Sequence, residues 1–546
     1  MKHRYVKYLA VFALLVSTAS CKKYLDINTD PDTPQTPDPS SVMPAMLANI
    51  PRGIQFDARY LARYVQNWGL NTANDVWDTH GFQGFPTATD VSGDIWRQTY
   101  YGLGANLNYI IEEGKTKGMW DYVGAAYALK ALMFQQCTDT YGDIIYTEAF
   151  KENTAVFRYD DQEVVYEGVD SLCREALYYL GRTDLSPTNQ TLAKGDYVYD
   201  GNRTKWTRFV NGLLARNFMR YSRKPEFNPD SVIYYADRSF TSINDDFLVP
   251  FDATKNDDTN FFGTFRNNLA SFRQTTLIVG LLDGTILAGA QTGANRDPRI
   301  RHMLSASPDT TNGNGGYRSV VPGAGDPQNS NATSRTRVAN PWGDSLFANP
   351  SASRFEPNRG KYLFRDKVVS PVMTYSEILF LKAEAAIRKT DLGTAHAAYI
   401  AGINAHFDFI NRGTFPRGNT PLFNNTTISA AERAAYLASA NVKTAGTITR
   451  SDIMLQKYIA QYGWNFVEQW VDLRRYNYTD LDPATGQPVF RGYVVPSNLN
   501  AANMGKLAQR IRPRYNSEYV WNRPELDRIG ATAPDYHTKP MWFSLP

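Results

Sequence analysis

The side chains able to do chemistry are thinly spread in this chain. Six histidines, His3, His80, His302, His396, His406 and His537, lie far apart, with neither an H-E-x-x-H pair nor metal-ligand spacing. No G-x-S-x-G nucleophile turn and no Walker loop occurs. Asp26-Ile27-Asn28-Thr29-Asp30 opens like a calcium loop, but Pro31 and Pro37 stand where such a loop needs glycine and glutamate. Glu377 and Glu384, seven residues apart in an alanine-rich stretch, suit packing or ion pairing better than acid–base work. A glycoside hydrolase needs only two carboxylates about 5–10 Å apart in space, a requirement that a sequence leaves open. No catalytic residue, metal ligand or cofactor is assigned from these patterns, and a metal ion among the loops is left open.

The chemistry the composition favours is ring stacking. The chain has 34 Tyr, 28 Phe and 10 Trp, and ring faces bury apolar area while their edges stay wet, as sugar- and peptide-binding surfaces require. Packed helical cores use the same residues, so position must decide. Rings in loops are the candidates: Trp77, His80 and Phe82 in the Gly-punctuated stretch NDVWDTHGFQGF, Tyr317 after a Gly-Asn loop, and Trp342 after Asn340-Pro341. A platform of such rings, with Asn and Asp neighbours bonding hydroxyls, would hold an oligosaccharide. Trp96 and Tyr100 belong instead to a helical stripe and read as core.

One residue is a candidate for covalent chemistry. Lys2, Arg4 and Lys7 precede an apolar run from Tyr8 to Val16, then Ser17, Thr18, Ala19, Ser20 and Cys21. A basic start, a short apolar run and small residues describe an export signal, and the cysteine after them resembles a bacterial lipoprotein site. Residues 1–20 are thus expected to be a signal peptide and Cys21 the lipidated residue, holding the chain to a membrane through acyl chains. A Pro-, Thr- and Asp-rich stretch over 21–45 reads as the tether. Net charge is +4, dispersed along the chain, which excludes a nucleic-acid footprint. Cys137 and Cys173 could pair or remain buried thiols.

The elements that must position these residues are helices. Trp96, Tyr100, Leu103, Leu107 and Ile110 recur every three or four residues, one face of an amphipathic helix. Further helices are expected over Trp120 to Cys137, Gln162 to Leu180 and Thr204 to Tyr221, with Asp161 and Asp200 placed to cap two of them. Residues 46–225 form this first helical part. Gly, Asn, Ser and Pro clusters make 226–365 a loop-rich insertion. Helical periodicity returns over 366–484, at Tyr375 to Lys389, Ala395 to Asn411 and Ser451 to Tyr476. Residues 485–546 read as a wrapping tail. The fold class is mainly α, with tetratricopeptide-like helical pairs.

Several segments read together resemble the SusD/RagB family. They are the helix ending in Thr138-Asp139-Thr140-Tyr141-Gly142-Asp143, the Lys205-Trp206 helix with Asn211, Leu213 and Arg216, and PVMTYSEILFLKAEAAI over Pro371 to Ile387. To these add Gln456-Lys457, the run Glu468-Gln469-Trp470-Val471-Asp472-Leu473-Arg474-Arg475, and Arg512-Pro513-Arg514-Tyr515 with Glu518 and Asn522. The resemblance implies a surface lipoprotein of the outer membrane that binds a nutrient and serves a SusC-like TonB-dependent transporter. It implies an oligosaccharide ligand, or alternatively a peptide. A scaffold that binds only protein and a secreted glycoside hydrolase are the other classes in view. Physically, Asp472, Arg474 and Arg475 are expected to form an ion-pair network that holds helix ends.

Overall fold

A computed structural model describes residues 36–73, 93–291, 293, 296–331, 333–342, 360–412, 427–499 and 503–546. Cys21 and the leader lie outside the described residues. Helix α1, Pro39–Tyr64, starts where Asp38 accepts from the Ser40 N–H, with proline in the first turn where a missing donor costs nothing. It begins inside the stretch expected to be tether, because Met43, Met46, Leu47 and Ile50 need burial and find it. After β1 (Trp68–Leu70), α2 (Asp94–Arg97) runs through a π-helical turn, Gln98–Gly104, into α3 (Ala105–Lys117).

Gly118, at φ +69°, ends α3 in a left-handed cap, and α4 (Trp120–Tyr141) folds back on it. Next come α5 (Gln162–Gly181) and α6 (Arg203–Met219), each packed on the helix before it. Asp161 occupies the N-cap of α5 without a side-chain capping bond. Asp200 does not cap α6; Asn202 does, accepting from the Lys205 N–H at 3.1 Å. Cys137 on α4 and Cys173 on α5 are free, buried thiols.

The loop-rich stretch contains regular pieces that its glycines and prolines conceal: α7 (Pro229–Arg238), β2 (Phe247–Phe251), β3 (Phe272–Gln274), α8 (Thr276–Leu282) and α9 (Ile300–Met303). β3 pairs antiparallel with β1, Trp68 opposite Gln274, and β2 pairs with β4 (Val368–Met373). The helical pair α10 (Tyr375–Arg388) and α11 (Leu392–Asn411) follows, then α12 (Ala430–Leu437). The periodic run expected as one helix from Ser451 to Tyr476 is two, α13 (Arg450–Gln461) and α14 (Phe466–Arg475), because Gly463 turns the chain at φ +83°.

The two helical parts meet along a buried electrostatic seam. Arg220, just past α6, lies between Asp139 of α4, at 2.6 Å, and Glu468 of α14. Arg216 pairs with Glu377 at 2.6 Å. Arg475 bridges Asp472 at 2.6 Å and Glu384 at 2.7 Å, and Lys457 reaches Asp472 at 2.7 Å. The network expected around Asp472 is present, but Arg474 is not part of it. That guanidinium donates to the carbonyls of Asp139, Trp470 and Gln509 and stacks 3.7 Å over the Trp470 ring. Glu377 and Glu384 are wholly buried in these pairs, so neither carboxylate is available for acid–base chemistry.

Candidate ligand-binding site

Two clefts open beside the π turn between α2 and α3 and meet at Arg97 and Tyr101. The π turn interrupts the regular helical repeat, and such turns recur at functional sites. Tyr100 stays inward, donating its hydroxyl to the Ile145 carbonyl at 2.6 Å, while the next ring, Tyr101, is 77% exposed. The Arg97 guanidinium lies 5.7 Å from the centre of the Tyr101 ring.

The first cleft encloses about 560 Å³ between Trp96, Tyr100, Tyr101, Phe150 and Phe157, with Arg514 and Glu518 among its polar residues. Glu518 accepts from the Tyr159 hydroxyl at 2.8 Å and the Asn522 amide at 3.0 Å. Burial holds its carboxyl above the usual range. Gly104 makes this wall possible, because a Cβ there would lie 1.9 Å from the Phe150 ring. The second cleft, about 420 Å³, is more polar: Arg52, Asp94, Arg97, Asp257 and Arg266 line it beside Phe56 and Phe261, whose rings are 5.7 Å apart. Beneath it the buried Asp57 accepts from the Asp94 and Ile95 N–H groups at 3.3 and 2.8 Å, fixing the start of α2. Burial first, and the neighbouring Asp94 next, push the Asp57 carboxyl up to about 8.

Such a surface can stack ring faces while guanidinium and carboxyl groups bond hydroxyls. Trp77, His80 and Phe82 lie outside the described residues. The described residues on either side of their segment are Ala73 and Gly93, the latter next to Asp94 of the second cleft. The chain beyond Tyr317 packs on Asn71, which donates to Asn329 at 2.7 Å and accepts from the Asp326 N–H at 3.0 Å. Tyr317 itself is half-buried against the core. Trp342 does not face ligand: it is 1% exposed and its indole donates to the Phe262 carbonyl at 2.7 Å, so it plugs its loop into the body. Trp96 is buried as expected, yet part of it lines the first cleft.

Tyr101, Phe150 and Arg97 were missed by sequence reasoning. The available signal was the doubled Tyr100-Tyr101 followed by Gly102-Leu103-Gly104, which places one ring off the apolar stripe.

Residues 31–500 match the model of the SusD-like family described as "Starch-binding associating with outer membrane". The fold is similar to that of a chitin-binding protein, at TM-score 0.67 and 21% identity over 93% of this chain and 100% of that one. It is also similar to a chitin-binding SusD homolog from Flavobacterium johnsoniae, at TM-score 0.63 and 22% identity over 93% and 98%. A SusD/RagB family protein from Bacteroides thetaiotaomicron matches at TM-score 0.63 and 21% identity over 92% and 98%. No curated protein sequence matches the chain. Among the described residues no helix is long and apolar enough to cross a membrane. With most of its length matched, over residues 31–500, the chain belongs to the SusD-like family of outer-membrane-associated proteins.

Proposed function

We propose that this protein captures an oligosaccharide in the joined clefts and passes it to a SusC-like TonB-dependent outer-membrane transporter, while lipid on Cys21 holds it at the cell surface. The observation that carries the reading is Tyr101, an exposed ring set between two clefts with aromatic and charged walls. The chitin-binding relatives of like fold support sugar as the ligand class. Trp77, His80 and Phe82 extend the platform in this proposal, since the described chain resumes after their segment at Gly93, beside Asp94 of the second cleft; Tyr317, half-buried against the core, contributes at its edge. The protein binds and does not catalyse. A peptide is the second reading, favoured by the mixture of arginines and carboxylates in the second cleft.

Calorimetric titration of residues 22–546 with panels of oligosaccharides and peptides tests this. Saturable sugar binding that Tyr101→Ala weakens about 3- to 10-fold is expected from loss of one stacking face. Peptide binding without sugar binding would replace the ligand class and leave the site in place. Sugar binding unaffected by both Tyr101→Ala and Trp77→Ala would put the site elsewhere. Co-purification of the tagged protein with an outer-membrane barrel tests the transporter partnership independently.

A further inference from the structure

The second cleft carries more positive charge than the capture of a neutral sugar requires. Arg52, Arg97 and Arg266 all line it. Among the described residues none of the three forms an ion pair, although Asp94 and Asp257 line the same cleft. Some other arginines near the surface are paired. Arg208, Arg301 and Arg433 each meet a carboxylate, at 2.9, 2.7 and 2.5 Å.

Two of the three are nonetheless held in place by hydrogen bonds. Arg52 donates to the Asp257 carbonyl at 2.9 Å and Arg266 to the Asn256 carbonyl at 3.0 Å, so neighbouring carbonyls of one turn anchor both. Arg266 also lies 5.8 Å from the Phe261 ring centre, and Arg97 is 5.7 Å from that of Tyr101. A guanidinium has five N–H donors in a planar fork. One bond to a carbonyl leaves most of them for a ligand, and the fork matches the paired oxygens of a carboxylate or sulfate.

We propose that the sugar taken by this site is acidic, with a carboxylate or sulfate oxyanion held by Arg52, Arg97 and Arg266 while an uncharged ring face stacks on Tyr101. This rests on the reading of the joined clefts as the sugar site. It adds a charge selection that a starch- or chitin-like ligand does not need.

The test is a titration of the full chain in detergent with matched ligands. An oligouronate is compared with its carboxyl-reduced, neutral form, and a sulfated oligosaccharide with its desulfated form; inorganic sulfate and oligoglutamate complete the set. The acidic member of at least one pair should bind about tenfold or more tightly than its neutral partner, as charge-assisted hydrogen bonds do. The advantage should shrink as salt rises. Arg52→Gln with Arg266→Gln should bring the acidic-to-neutral ratio close to one, and Arg52→Lys with Arg266→Lys should restore part of it. Equal binding of both members of each pair, or an unchanged ratio in the glutamine variant, overturns the acidic ligand and leaves sugar capture standing. Binding of oligoglutamate with no sugar bound, or no binding by any ligand, overturns both readings. Tight binding of inorganic sulfate alone would also sink the proposal, since the arginines would then select an ion and not a glycan.

Discussion

Replacing Arg220 by methionine should expose what the buried seam contributes. Arg220 lies between Asp139 and Glu468, and all three side chains are 4% exposed or less. Without it, Asp139 keeps only the Tyr166 hydroxyl at 2.7 Å as a side-chain donor, and Glu468 keeps the more distant Arg216 at 3.9 Å. Breaking a buried pair by removing one partner costs about 3–5 kcal/mol, because a charge is left uncompensated. In the native protein burial alone would raise the Glu468 carboxyl, but Arg220 and Arg216 outweigh it and hold it at about 2. That native contribution is present above the ordinary carboxylate value and is lost as pH falls from about 4.5 toward 2. In the variant the upward pull of burial prevails, and the folded carboxyl then binds a proton more readily than the unfolded one. The stability deficit should be full at neutral pH and should narrow in acid, where the variant gains as the native protein loses. Urea unfolding at pH 8, 6, 5 and 4, followed by tryptophan fluorescence, measures it. Adding Asp139→Asn and Glu468→Gln to the variant should recover most of the loss. A deficit under about 1 kcal/mol at pH 7, the scale of a surface pair, or one that does not change with pH, would refute the reasoning.

Three further outcomes follow from the geometry. Trp342→Ala should cost about 3–5 kcal/mol in stability by denaturant titration, as for other buried aromatic truncations, and should leave sugar affinity nearly unchanged. Gly104→Ala forces the Phe150 ring away from a Cβ that would lie 1.9 Å from it, so destabilisation of about 1–3 kcal/mol and a weaker first cleft are expected by thermal melt and calorimetry. Asp57→Asn removes a carboxyl raised to about 8. Because the native protein loses stability as pH rises from the ordinary carboxylate value to about 8, the melting temperature of the variant relative to the native protein should be higher at pH 9 than at pH 5.

Much of the scaffold was legible because helix-forming patterns are local. The stripes at Trp96 to Ile110, Trp120 to Cys137, Gln162 to Leu180 and Tyr375 to Lys389 each became helix, since a 3.6-residue repeat of apolar side chains can be read within one segment. The break at Gly463 was hidden because flanking residues keep the period while the backbone turns. Regular pieces in 226–365 escaped because β2 and β3 are stabilised by strands far away in sequence. The family motifs were visible as charged residues inside helical patterns, yet their partners were not: Arg220 and Glu468 are 248 residues apart.

The sequence by itself determined the helical fold class, the family and the richness in rings from which a binding surface could be made. Only the tertiary structure decided which rings meet solvent. Trp342 sits among polar loop residues and looked available, but the Phe262 carbonyl satisfies its indole N–H and lets the ring be buried. Tyr101 sits inside a helical segment and looked unremarkable, but the π turn leaves it outside the core between two clefts. A ring's exposure depends on what packs against it from distant segments, and periodicity reports only the segment that carries the ring.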